Sequence, residues 1–304
     1  GGIQVTSVTG SDGRALRHTV NKTMMRIDLP QPLKPGARVA FNLAWTFNLP
    51  EANVVGRRTG FEKFDDGNDI YLSAQWFPRM AAYYDVKGWQ HKQYMGDGEF
   101  TLEFGDYDVQ LTVPADHIVA STGELANADA VLTSAQRERL RQAKNAKKPV
   151  IIVTQKEAEA AEKSRSKATK TWHFKAKNVR DFAFASSRKF IWDAQSIKSG
   201  SKDVLAMSYY PKEGNPLWEK YSTAAVIHTI EQYNKYSFDY PYPTAISVNG
   251  SIGGMEYPMI SFNAGRPVKD KKTGELTYSK GTKYGLISVI IHEVGHNYFP
   301  MIVN

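Results

Sequence analysis

Apolar and polar side chains alternate along residues 1–211 with a period of two, which is typical of half-buried β-strands. Turn signals such as Pro35-Gly36 separate the alternating stretches, and Gly105-Asp106 predicts a hairpin between two of them. The stretches are residues 23–29, 38–45, 99–104, 107–113, 172–176 and 182–185. The pattern predicts a mainly antiparallel β domain over residues 1–211.

The pattern changes after Pro211, where apolar side chains recur at helical spacing over residues 217–236. Pro241 and Pro243 end this predicted helix. Two predicted strands, a polar loop and an apolar run follow, at residues 245–248, 255–262, 266–283 and 286–291. The apolar run predicts a second helix, threaded through a core. Helix, strand, strand and helix in this order indicate an α+β arrangement for residues 212–304.

The composition is that of a globular chain large enough for two domains: 304 residues, 41% hydrophobic and 12% aromatic. No apolar stretch approaches the ~18 residues of a membrane span. The first residues lack the basic start and apolar stretch of a signal peptide, so we expect any targeting segment to be absent or removed. The chain has no cysteine, which excludes disulfides and cysteine-ligated zinc but is compatible with cytoplasm or periplasm.

Much of the formal net charge of +8 lies in residues 132–148, where arginines and lysines are opposed by the single Glu138. This stretch predicts a solvated helix followed by a polar loop, and residues 156–170 are mixed in sign. We interpret residues 132–170, approximately, as a basic surface insertion in the β domain. A nucleic-acid groove is the alternative, but no nucleic-acid motif accompanies the charge, so we expect no nucleic-acid partner.

Residues 292–296 read His-Glu-Val-Gly-His. On a helix, side chains at i and i+4 share a face, so the imidazoles of His292 and His296 can reach one metal ion. Glu293 points beside that ion, where it can take a proton from a zinc-bound water. The alternative is a core helix that carries two histidines by chance.

A second motif, Gly253-Gly254-Met255-Glu256, precedes the histidines, and a polar residue and two aromatics follow them at residues 297–299. In this order, the motifs resemble those of the aminopeptidase N and leukotriene-A hydrolase family of zinc metallopeptidases, the gluzincins, as a bacterial-type member seen as a fragment. Weaker similarities at residues 75–80 and 240–243 extend the resemblance over about residues 71–304.

The resemblance implies an α+β multidomain fold. Residues 1–211 would form a saddle-like N-terminal antiparallel β domain. Residues 212–304 would form the first part of a thermolysin-like catalytic domain, truncated after the zinc helix. We expect Tyr298 and Phe299 to pack this helix into the core.

The resemblance also implies a ligand set. His292 and His296 would bind Zn2+, one ion per chain in the full-length protein, with Glu293 as general base. The third ligand and the tyrosine that stabilises the oxyanion would lie beyond Asn304. We therefore expect an interior fragment of a larger enzyme, or its ordered part. As an isolated piece it should bind zinc weakly or not at all and be inactive.

The implied substrates are peptides with a free N-terminus. Glu256 would bind their α-ammonium group by a charge-assisted bond, and its alternative role is that of a surface glutamate in a turn. The other substrate-binding residues would be Gly253, Gly254 and Met255, with the glycine backbone pairing with the peptide as an extra strand.

Two departures from the family pattern bear on the function: Tyr257 stands where Asn is usual, and the third ligand lies past the end. The predicted function is a zinc-dependent aminopeptidase. Two alternatives are a non-catalytic scaffold or binding protein of this fold, and an endopeptidase zincin that would not need Glu256. The resemblance favours a periplasmic or secreted location over the cytoplasm. The sequence indicates neither which N-terminal side chain of a substrate is preferred nor the oligomeric state.

Overall fold

The computed structural model of the chain describes residues 2–54, 58–95 and 102–302. The chain divides into two compact units. The first comprises Gly1–Leu49 and Trp76–Glu103, and the second comprises Pro50–Gln75 and Phe104–Asn304. The division predicted after residue 211 lies inside the second unit and stays a prediction.

The described residues are rich in strands. In chain order, these are β1 (Gln4–Gly10), β2 (His18–Asn21), β3 (Met24–Ile27), β4 (Phe41–Thr46), β5 (Gly60–Glu62), β6 (Ile70–Ser73), β7 (Tyr83–Tyr84), β8 (Gly88–Trp89), β9 (Gly105–Pro114), β10 (Ile118–Ser121) and β11 (Glu124–Leu125). The remaining strands are β12 (Val150–Val153), β13 (Thr169–Val179), β14 (Phe184–Ser187), β15 (Ile191–Ser199), β16 (Lys202–Tyr210), β17 (Thr244–Asn249), β18 (Gly254–Tyr257), β19 (Ile260–Asn263), β20 (Val268–Lys269) and β21 (Leu276–Thr277).

Helices are confined to the second unit among the described residues. They are α1 (Ala128–Val131), α2 (Ser134–Ala143), α3 (Gln155–Ser164), α4 (Leu217–Tyr236) and α5 (Lys280–Gly295), with a 3-10 turn at Lys212–Gly214. The mixture of helices with many antiparallel strands confirms the α+β class predicted from the sequence. None of the described helices is both long and apolar enough to cross a membrane.

The first unit consists of antiparallel strand pairs: β1 with β4, β2 with β3, and β7 with β8. The indole of Trp45, on β4, donates a hydrogen bond to the carbonyl of Trp76 at 2.9 Å. The side chain of Gln93 accepts from the Thr23 backbone and donates to the Asn21 carbonyl, which ties the β2–β3 turn to the later segment. Long-range polar contacts thus hold these short strands together.

A six-stranded sheet organises the second unit, with strand order β12-β15-β16-β17-β19-β18. β16, β17 and β19 run parallel, while β18 returns antiparallel to β19 at the edge. α4 connects the parallel strands β16 and β17 and packs on β15, β16 and β17. α5 packs on β17, β18 and β19 and against α4, so the two helices lie side by side on one face of the sheet.

Two predictions for the first two hundred residues differ from the structure. The hairpin between residues 99–104 and 107–113 is wrong where it can be checked, because residues 102–104 are not a strand and β9 pairs with β13. Residues 99–101 lie outside the described part of the chain. The basic insertion contains the predicted helix as α2, but it also contributes β12, which joins the central sheet through β15.

A buried lysine connects three separate segments of the second unit. Lys189 follows β14 and is fully buried, with Nζ at 2.9 Å from Asp66, 3.0 Å from Glu162 and 3.0 Å from Glu213. An ammonium group has three protons, so each carboxylate accepts one hydrogen bond. Glu162 also forms an ion pair with Lys212. We refer to Lys189 and its three carboxylates as the buried ion cluster.

Candidate metal centre

The helix that carries the two histidines starts at a capping serine. Ser279 Oγ accepts a hydrogen bond from the Thr282 backbone at 3.0 Å, which satisfies one of the free N–H groups at the start of α5. Leu286, Ile290 and Val294 lie on the buried side at helical spacing. Of the side chains between them, that of Glu293 is buried too, and the others are half-buried or exposed. α5 is thus a helix with one buried face, rather than the fully core-threaded helix that its apolar run predicts.

The two histidine side chains approach each other at the end of this helix. Nε2 of His292 and Nε2 of His296 are 3.1 Å apart. Nδ1 of His296 lies 2.9 Å from the carbonyl oxygen of Phe299. If Nδ1 donates to that carbonyl, Nε2 carries the lone pair, which is the arrangement of a metal-binding histidine. His292 is exposed and His296 is half-buried.

The edge strand β18 brings a second carboxylate to the same place. Glu256 is 8% exposed and Glu293 is 5% exposed, so both acids are largely withdrawn from water. Ligand atoms of Glu256, Glu293 and His296 all lie within 4.8 Å of one another. Among residues 2–54, 58–95 and 102–302, these three side chains form the one such group of acids and histidines. His292 joins them through its contact with His296.

The close approach of α5 and β18 depends on a glycine. A Cβ atom at Gly254 would collide with Oε1 of Glu293 and would lie 3.0 Å from a methyl group of Val289. The neighbouring Gly253 has open space around the equivalent position, with no atom within 4 Å. Gly254 therefore lets the strand lie directly against the Glu293 carboxylate.

The alternation of β18 places its residues on two faces. Gly254 and Glu256 face α5 and the histidines, whereas Met255 and Tyr257 point to the opposite face. Tyr257 is buried there against Phe262, with ring centroids 5.5 Å apart. The replacement of the usual Asn by Tyr257 therefore lies on the side of the strand away from the cluster.

The structure thus gathers Glu256, Glu293, His292 and His296 in one place, and it puts Gly253 and Gly254 beside them on the sheet edge. The roles predicted for these residues and for Met255 stay predictions. Tyr298 is fully buried, as expected, but Phe299 is 46% exposed, so its predicted core packing is wrong. Phe299 instead supplies the carbonyl that contacts His296.

Sequence reasoning missed two contacts of the motif. Asn297, next to the second histidine, is 2% exposed and its Oδ1 accepts from the Met259 backbone at 2.7 Å. Gly295 lies so close to Tyr233 on α4 that a Cβ atom would collide with the phenol oxygen. The only sequence signals were an Asn and a Gly within a helical stretch, where both residues lower helix propensity.

The donor set fits a zinc ion. Imidazole nitrogens and carboxylate oxygens are the usual zinc donors of a chain without cysteine. Two nitrogens bound tetrahedrally to one zinc ion at the usual bond length are about 3.3 Å apart, close to the 3.1 Å between the two Nε2 atoms. Glu256 and Glu293 supply the negative charge that such a cation requires.

No protein-family model matches the sequence, and no curated protein matches it. Solved structures do match. The M1 zinc metallopeptidase from Deinococcus radiodurans has 14% sequence identity and a TM-score of 0.55, over 99% of this chain and 55% of that chain. The fold is thus that of the N-terminal part of an M1 zinc metallopeptidase.

Two further structures agree. A single-substitution variant of the M1 zinc metallopeptidase from Deinococcus radiodurans has 13% identity and a TM-score of 0.58, over 99% of this chain and 55% of that chain. A two-domain M1 zinc metallopeptidase variant bound to L-arginine has 13% identity and a TM-score of 0.56, over 98% of this chain and 55% of that one. The chain spans about half the length of the structures it matches.

Proposed function

We propose that the full-length protein is a zinc-dependent aminopeptidase that removes N-terminal residues from peptides. The observation that carries the proposal is the position of Glu256. This buried acid lies on a sheet edge, within 4.8 Å of both Glu293 and the second histidine of the metal motif. An M1 zinc metallopeptidase variant with a similar fold was solved bound to a Tyr-Ser-Ala substrate, with 14% identity and a TM-score of 0.54, over 99% of this chain and 56% of that chain.

The edge of β18 suits an extended peptide. β18 is the last strand of its sheet, and among the described residues no further strand pairs with its outer edge. A peptide laid along this edge would form main-chain hydrogen bonds that tolerate many side chains. Its α-ammonium would face Glu256, which fixes the position of the first peptide bond, and a charge-assisted bond there favours a free N-terminus.

His292 and His296 would hold the zinc ion. A bound zinc ion would polarise the scissile carbonyl and make water more acidic. Glu293 would take a proton from the attacking water and deliver it to the leaving amine. Its burial beside Gly254 keeps the carboxylate next to the strand that positions the substrate.

The experiment compares a free aminoacyl anilide with its N-acetylated form, using the full-length gene product. We expect cleavage of the free substrate only, since acetylation deletes the charge that Glu256 binds. Glu256→Gln should raise KM for the free substrate and lower kcat/KM by about 10- to 100-fold, the range expected for a hydrogen bond to a charged group. Glu124→Gln, at an exposed acid on β11, is the matched control.

Each alternative predicts its own outcome. Equal cleavage of free and acetylated substrates by the wild type rejects the aminopeptidase and supports the endopeptidase. Zinc binding without cleavage of either substrate supports the non-catalytic scaffold.

A further inference from the structure

The hairpin that carries Glu256 is closed by a tight turn. Tyr257 pairs with Ile260, so Pro258 and Met259 are the two turn residues. Met259 has φ = 66°, in the left-handed region of backbone conformation that residues other than glycine rarely adopt. A turn of this kind needs external contacts to keep a single conformation, because the backbone itself disfavours it.

Two buried side chains supply contacts of this kind. Asn297 Oδ1 accepts the Met259 N–H at 2.7 Å. Thr122 Oγ1 donates to the Pro258 carbonyl at 2.9 Å. Asn297 is 2% exposed and Thr122 is fully buried, so water cannot replace either bond at low cost.

Asn297 itself is fixed to the end of the histidine helix. Its backbone N–H donates to Val294 at 3.1 Å, and the next N–H, of Tyr298, donates to Gly295 at 2.9 Å. Asn297 directly follows His296, and Met259 lies three residues after Glu256. One buried side chain therefore joins the segment that presents the histidines to the hairpin that presents Glu256.

We propose that Asn297 is a positioning residue that sets the distance between Glu256 and the histidine pair. This inference rests on the proposed function, in which that distance decides how far the peptide N-terminus lies from the scissile bond. Loss of the Asn297 bond removes the contact that ties the turn to the histidine segment, so the distance between Glu256 and the histidines is less tightly fixed. The effect falls on recognition of the N-terminus rather than on proton transfer by Glu293.

The test uses two substitutions of similar size in the full-length protein. Asn297→Leu removes the acceptor, and Asn297→Asp keeps an oxygen for the Met259 N–H. We expect Asn297→Leu to raise KM for a free aminoacyl anilide by about 10-fold, with kcat changed less. The preference for free over acetylated substrate should narrow by a similar factor. Asn297→Asp should recover most of both losses.

The control is Tyr298→Phe at the adjacent buried position. It removes the 2.8 Å hydrogen bond from the phenol to Asn234 on α4 without touching the hairpin. The preference for free substrate should stay at the wild-type value in this variant. If Tyr298→Phe and Asn297→Leu reduced the preference for free over acetylated substrate equally, the inference would be overturned, because both substitutions would then act by loosening the helix end.

Hydrogen exchange gives a readout independent of activity. The backbone amides of residues 255–262 should exchange faster in Asn297→Leu and at the wild-type rate in Asn297→Asp. Unchanged amide exchange in Asn297→Leu would overturn the inference. Equal cleavage of free and acetylated substrates by the wild type would contradict the aminopeptidase, while exchange would still decide whether Asn297 holds the hairpin. If Asn297→Leu fails to fold, Asn297→Ser replaces it, because the shorter side chain withdraws the acceptor from the Met259 N–H. An unchanged preference and unchanged hydrogen exchange in that variant would again overturn the inference.

Discussion

Single residues explain why the two motifs lie together. The i, i+4 spacing of His292 and His296 could be predicted from the sequence because a helix fixes which side chains share a face. The contact of Glu293 with Gly254 could not, since it joins positions far apart in the chain. The sequence shows only that Gly254 is small, whereas the structure shows which carboxylate needs that space.

At this scale the first prediction concerns Glu293. Glu293→Gln keeps the size of the side chain and removes its proton-accepting charge, so zinc should stay bound while kcat falls. Loss of a general base commonly lowers the rate by about 10²- to 10⁴-fold. Steady-state kinetics with parallel metal analysis of the full-length protein checks this. Wild-type turnover with zinc bound would exclude Glu293 as the base.

The second prediction uses the adjacent glycines as a matched pair. Gly254→Ala should lower the free energy of unfolding by about 1 kcal/mol, because its Cβ atom crowds Val289 and displaces the end of the Glu293 side chain. Gly253→Ala should change it by less than about 0.5 kcal/mol, because its Cβ atom meets open space. Urea titration of both variants measures the difference, and equal effects would contradict the close approach.

Whole elements were predictable where their pattern is local. The helix at Leu217–Tyr236 agrees with the prediction because its apolar spacing is continuous. The start of α5 was missed, since residues 280–285 are mostly polar or glycine and the helix begins at the cap of Ser279. β12 was missed because four consecutive apolar residues do not alternate. The partner of β9 is far away in sequence, and local periodicity carries no information about it.

A buried histidine at the β10–β14 pair gives a pH prediction. His117, just before β10, is 4% exposed, and its Nδ1 lies 2.8 Å from Oγ of Ser186 on β14. Burial, together with the nearby Arg188 guanidinium, lowers the pKa of His117 to about 4. The unfolded chain therefore binds a proton before the folded chain does. The stabilisation is complete above about pH 6.5 and is lost as the pH falls towards 4.

The expected loss from His117 is about 3 kcal/mol over that range. Urea titrations at pH 7, 5.5 and 4 should show that His117→Asn removes this part of the pH dependence. His18→Asn, at an exposed histidine, should leave it in place. Parallel pH curves for the wild type and His117→Asn would show that His117 does not titrate in this way.

At the scale of the whole molecule, the strand order of the central sheet is the part that the sequence could not provide. Strands on both sides of Pro211 share this sheet, because β16 pairs with β17. The pattern predicts β17 and the segment of β18 and β19, but neither the other strands of the sheet nor the strand order, since pairing of distant strands depends on packing throughout the unit. The α+β class could be predicted because it needs only the kinds of element and their sequence.

Metal binding should be visible as a change in the stability of the whole molecule. Zinc bound only by the folded full-length protein adds about 2.7 kcal/mol when the free ion is at 100 times its Kd. Zinc should therefore raise Tm, and a chelator should reverse the rise. His292→Ala and His296→Ala should abolish it, whereas His228→Ala, at an exposed histidine of α4, should keep it. A retained rise in both motif variants would rule out the pair as ligands.

The buried ion cluster affects the order in which its four residues can be substituted without loss of stability. Lys189 neutralises acids contributed by three segments that are distant in sequence. Replacing Lys189 first leaves Asp66, Glu162 and Glu213 close together without their shared cation. Replacing one of the acids first leaves the buried ammonium group with two carboxylate partners. A variant with an apolar residue at position 189 would therefore be least destabilised when the carboxylates, above all the buried Glu162, are replaced together with the lysine.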